Sequence, residues 1–125
     1  MIRASTLLLT LFLSAPVLAQ PVTQDEYVKQ TQAIAIRVQQ QLMACWMVPQ
    51  GEEGFRLGLD IVFFGNGEID GEAVLSAETT KIASKRASLR ESVLAALERC
   101  VPFTGLEELG AAPDERFSVT IFFQS

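Results

Sequence analysis

The chain has 125 residues, 15 acidic and 10 basic, with two cysteines, no histidine and a net charge of −5. An acidic balance with no basic stripe repels nucleic-acid phosphates, so nucleic acid is excluded as a partner. The missing histidine excludes Ser-His-Asp and Cys-His catalysis and removes the commonest zinc ligand.

The N-terminus reads MIRASTLLLTLFLSAPVLAQ. Arg3 gives a basic start, Leu7 to Leu13 an apolar run, and Val17-Leu18-Ala19 the small residues that precede a cleavage point. The run is broken by Ser14 and Pro16 and falls well short of the ~20 residues that span a bilayer. This pattern predicts a cleavable signal peptide over 1–19 and an exported domain over 20–125, with no membrane insertion after cleavage. What remains, 125 − 19 = 106 residues, suits one domain. Its charge moves to −6 because Arg3 is lost, leaving 9 basic residues against 15 acidic.

From Asp25 to Met47, Tyr27, Ile34, Val38 and Cys45 recur at helical spacing opposite a face of Gln24, Lys29, Gln32 and Arg37. Thr23 is the expected N-cap, and Pro49 and Gly51 the stop. Residues 55–64, FRLGLDIVFF, alternate as a half-buried strand, with Phe55, Leu57, Leu59, Ile61 and Phe63 on one side. Gly65-Asn66-Gly67 signals a hairpin into a second strand over 68–77, kinked at Gly71. A second helix is expected from about Lys85 to Cys100, capped by Ser84 or by a Ser88/Glu91 box and stopped by Pro102. Residues 116–123, RFSVTIFF, alternate again, with Phe117, Val119, Ile121 and Phe123 inward and Arg116, Ser118, Thr120 and Phe122 outward. The order α-β-β-α-β implies an α+β domain, a small antiparallel three-stranded sheet packed by two helices.

In an oxidising compartment two cysteines point to a disulfide, here Cys45–Cys100, closing a loop of 100 − 45 = 55 positions. Both cysteines fall in the last turns of the two expected helices, and Trp46 reads as the large residue covering the crosslink. No CxxC motif suggests redox work.

Other motifs carry less. NGEIDGEAVLSAE has part of a calcium-loop pattern at Asn66, Glu68, Asp70 and Gly71, but its twelfth position is Ala77 where the bidentate acid belongs. The acid pairs Glu52/Glu53 and Asp70/Glu72 keep open a small secreted enzyme of the two-carboxylate kind, against a plainer reading as solvated charge. Lys85, Arg86 and Arg90 gather at the start of the second helix, where they oppose its dipole. The final strand is the feature with most to offer: at a sheet edge it would expose unpaired N–H and C=O groups to a strand from another protein.

Several of these features occur together in a known order. Cys45-Trp46, Pro49-x-Gly51, the alternating strand into Gly65-Asn66-Gly67-x-Ile69, the helix ending Cys100-x-Pro102-Phe103 and the terminal Phe122-Phe123 resemble the TolA/TonB C-terminal domain family. The paired cysteines resemble the TolA branch more than the TonB branch. The resemblance implies a periplasmic protein-interaction module of the Tol-Pal cell-envelope system, not an enzyme and without cofactor. Its partner would be a TolB-like periplasmic or outer-membrane-associated protein. That partner would add a strand at Phe117, Ser118, Val119, Thr120, Ile121, Phe122 and Phe123. A TonB-like energy transducer that binds outer-membrane receptors, or a secreted enzyme or inhibitor sharing only the fold, are the alternatives. Members of that family carry an inner-membrane helix and a long spacer. Here a signal-like segment precedes the first helix, so the expectation is a stand-alone domain.

Overall fold

The computed structural model describes residues 23–125, so the signal-peptide expectation for 1–19 lies outside the described residues. Helix α1 runs Gln24–Cys45 and begins as its sequence dictates, with the Thr23 hydroxyl accepting from the Glu26 N–H at 3.1 Å. Strand β1 (Arg56–Phe64) follows, then a two-residue strand β2 (Val74–Leu75), helices α2 (Thr80–Lys85) and α3 (Ala87–Cys100), and strand β3 (Arg116–Gln124). The three strands form one antiparallel sheet in the order β2-β1-β3, so the chain is the expected α+β domain. α1 packs on β3, while α2 and α3 pack on β1.

Two elements differ from expectation. β2 shrinks because the ladder slips: Phe63 pairs with Ile69, yet Asp60 pairs with Val74. Four residues, 70–73, therefore stand against two, 61 and 62, and Gly71 turns through a φ of +83. The second helix is likewise split, with α2 added before α3. Neither expected serine caps α3. The Ser84 hydroxyl donates to the Lys81 carbonyl, and the Ser88 hydroxyl donates to the Glu52 carboxylate.

The hairpin turn is closed by Gly67, whose φ of +93 suits a residue without Cβ. A Cβ there would meet the Phe103 carbonyl oxygen, which presses the post-α3 loop onto the turn. Beneath the sheet the core gathers Ile34, Val38 and Leu42 of α1, Leu57, Leu59, Ile61 and Phe63 of β1, Leu89, Val93 and Ala96 of α3, and Phe117, Ile121 and Phe123 of β3. The Cys45–Cys100 disulfide joins the ends of α1 and α3 with a Cα–Cα distance of 6.1 Å. Trp46 does more than cover it. Its indole N–H donates to Ser92 Oγ at 2.9 Å, and its ring meets Phe123 edge-on at 5.4 Å, tying α3 to β3.

Two of the three basic residues at the start of α3 are held internally, while Lys85 is exposed. Arg86 donates to Glu52 Oε2 at 2.9 Å and lies over the Phe55 ring at 3.4 Å, while Arg90 donates to the Ala83 carbonyl at 2.7 Å. Glu52, only 9% exposed, thus places its carboxylate at the start of α3, where negative charge suits the helix dipole. The Arg86 hydrogen bond holds the Glu52 carboxyl below its ordinary value; burial opposes this, and the Ser88 hydroxyl and the Arg86 charge reinforce it. With the folded pKa below the unfolded one, the contribution to stability is full above the ordinary carboxylate range. It is lost as pH falls through the lowered value. Glu52→Gln is therefore expected to flatten the loss of stability as pH falls through and below the ordinary carboxylate range. Urea midpoints across that range check this, and parallel curves for the two proteins would refute it.

Candidate functional site

β3 is hydrogen-bonded on one side only, because β1 occupies the centre of the sheet. Which of its backbone groups point outward follows from the bonds that β1 makes toward β2. The Gly58 and Val62 carbonyls accept from Ser76 and Asp70, and the Phe64 N–H donates to Glu68. The even residues of β1 thus face β2, and its odd residues face β3. Phe63, Ile61, Leu59 and Leu57 stand opposite Phe117, Val119, Ile121 and Phe123, so those four β3 residues spend their N–H and C=O groups on β1. The N–H and C=O groups of Ser118, Thr120 and Phe122 point away from the sheet, and no backbone partner meets them among the described residues.

The side chains on the outer face of β3 leave that edge bare. Thr120 donates its hydroxyl to Asp60 Oδ1 at 2.6 Å, leaning back over β1. The Phe122 ring covers Gly58, where a Cβ would come within 2.9 Å of it, and the Arg56 guanidinium lies 3.7 Å above its centre. Arg116 is drawn into an ion pair with Asp70. Proteins commonly guard an edge with a bulge, a proline or an unengaged charge. The nine residues of β3 pair with β1 without a break and include no proline, and their one charged side chain is engaged elsewhere.

The strand residues of the sequence reading are thus brought together, in two sets. Ser118, Thr120 and Phe122 carry the free backbone groups. Phe117, Ile121 and Phe123 lie in the core, with Val119 half-buried between them.

The acid pairs do not converge into a two-carboxylate site. Glu52 is committed to Arg86 and Ser88, whereas Glu53 accepts from the Gly51 N–H at 3.0 Å. Asp70 pairs with Arg116, and Glu72 is exposed. Of the calcium-loop residues, Asn66 uses its side-chain oxygen on the Glu68 N–H within the hairpin turn. Among the described residues no group of three or more acids or cysteines is arranged to hold a metal ion. A cleft of about 410 Å³ opens between the hairpin turn and residues 102–108. Arg37, which donates to the Gly105 carbonyl at 3.1 Å, braces that loop from α1.

The Glu52–Arg86–Ser88 contact was not readable from the sequence, because its partners lie 34 and 36 positions apart in a loop and a helix start. Residues 26–125 match a family described as uncharacterised conserved protein UCP034077. The chain belongs to that family. The match runs from the first turn of α1 to the end of β3 and so takes in both cysteines and the whole open edge. No curated protein and no solved structure matches the chain.

Proposed function

We propose that this domain is an exported protein-interaction module that takes an extended segment of a partner as a fourth strand along β3. One observation carries the reading. The N–H and C=O groups of Ser118, Thr120 and Phe122 form a hydrogen-bonding row with no backbone partner among the described residues. The sequence resemblance to TolA/TonB C-terminal domains supports the same edge and suggests the partner class, a TolB-like periplasmic or outer-membrane-associated protein of the Tol-Pal system. The Cys45–Cys100 disulfide supports an oxidising compartment such as the periplasm. None of the described helices is long and apolar enough to cross a membrane. The domain acts as a binding module and not as a catalyst.

The test is a photoreactive residue at Thr120 in the exported chain, crosslinked in periplasm, beside Thr120→Pro. The Thr120 N–H points outward, so proline there removes a docking group without removing a backbone bond to β1, and gives up only the hydroxyl's bond to Asp60. A TolB-like protein captured by the first and lost in the second is the expected result. Capture of an outer-membrane receptor instead would favour the TonB-like role. A folded protein that crosslinks to neither would remove the envelope assignment.

A further inference from the structure

The open edge has a floor as well as a rim, and the floor carries no charge. α1 lies under β3, the edge strand, while α3 lies under β1. One flank of α1 is taken by the loop after α3: Gln30, Arg37 and Gln41 donate to the carbonyls of Leu109, Gly105 and Thr104. The middle of the helix is the buried stripe of Ile34, Val38 and Leu42. At about 100° per residue, Ala35, Val28 and Gln39 fall on the far side of that stripe, while Thr31 falls within it, its buried hydroxyl without a hydrogen-bond partner among the described residues. Thr31 and Ala35 are half-buried, Gln39 is exposed and Val28 is 44% exposed. All four are uncharged, in a chain with 25 charged residues from 10 basic and 15 acidic.

The inner row of β3 has a matching gap. Phe117, Ile121 and Phe123 are 3%, 1% and 0% exposed, whereas Val119 between them is only half-buried. A strand added about 4.8 Å beyond β3 directs every second side chain inward, beside Val119 and over this flank of α1. Alanine at 35 suits aliphatic groups there, and a charge buried against Ala35 and Val119 would meet no opposite charge.

Building on the strand-addition reading, we propose that Val119, Ala35 and Val28 form an apolar seat beneath the edge. The occupant is then an uncharged, extended segment with aliphatic residues at alternate positions. Backbone groups of Ser118, Thr120 and Phe122 hold the segment, and the seat selects it.

A phage-displayed library of random twelve-residue peptides, panned against the intact domain, tests both levels. The expected result is enrichment of peptides with aliphatic residues at alternate positions and no charge among them. Their affinity should change less than twofold between low and high salt. It should fall at least tenfold with Thr120→Pro or Ser118→Pro, and at least tenfold with Ala35→Glu. All variants are first checked for native circular dichroism and melting. Peptides weakened by both proline variants but indifferent to Ala35→Glu would keep strand addition and overturn the apolar seat, as would enrichment of charged peptides. Peptides indifferent to both proline variants, or no enrichment at all, would overturn the docking edge itself. A wild-type dimer that Thr120→Pro converts to monomer would show that a second copy of the chain fills the edge, and would overturn the proposal.

Discussion

Removing the Cys45–Cys100 bond, by reduction or as Cys45→Ser with Cys100→Ser, is expected to cost the domain roughly 4 kcal/mol. The figure follows from the 55-residue separation of the two cysteines, since a crosslink restricts the unfolded chain more as its loop lengthens. Total stabilities of small domains run from about 5 to 15 kcal/mol, so the loss would bring this one close to the edge of folding. The bond joins the ends of α1 and α3, and the nearby Trp46–Ser92 hydrogen bond and Arg99–Cys45 carbonyl contact depend on the same junction. Urea unfolding with and without reductant measures the effect. Equal midpoints would sink the claim that the disulfide supports the fold. β3 lies outside the crosslinked loop, so any double-serine protein that stays folded should bind the same partners as the wild type.

Phe63→Ala is expected to cost about 3–5 kcal/mol, the range for emptying an aromatic site in a close-packed core. Phe63 is fully buried on the central strand. Its ring meets Phe103 edge-on at 5.5 Å and stacks on Phe117 at 5.6 Å, so one side chain links β1 to the post-α3 loop and to the start of β3. Truncation leaves a cavity bordered by two other rings that the backbone cannot fully close. Phe63→Leu keeps most of the volume and should recover more than half the loss. A loss below about 1 kcal/mol for the alanine variant would mean that the site collapses freely and that the aromatic cluster is not a keystone.

The parts of this fold that could be read from sequence are those whose burial repeats at a fixed period. β1 and β3 alternate over nine residues each, and α1 repeats Ile34, Val38 and Leu42 at four-residue steps, so their type and inward faces were plain. β2 falls short of its expected length because pairing, not pattern, limits it: after Asp70 bonds Val62, residues 71–73 leave the ladder as a bulge around Gly71. α2 was missed because six residues with Ala83 as the one fully buried side chain make too short a stripe to see. At the candidate site the strand could be named, but the set of free backbone groups could not. That set depends on the pairing of β1 with β3, and Thr120 and Asp60 lie 60 positions apart. The guanidinium–ring contacts of Arg56 and Arg86 were hidden for the same reason, since each joins segments that only the finished fold brings together.

The position of β1 between β2 and β3 also governs when the domain can fold. Its pairing with β2 closes a short loop, whereas its pairing with β3 spans Arg56 to Gln124 at the widest. Long closures cost more chain entropy and slow the search for the native state, so the sheet is completed late. Until Arg116–Gln124 is present, Leu57, Leu59 and Ile61 lie on a strand with one side unpaired, and α1 lacks the strand it packs on. A nascent chain stopped short of β3 therefore leaves the β3 side of its core uncovered. It remains open to a chaperone or a protease until the last strand arrives.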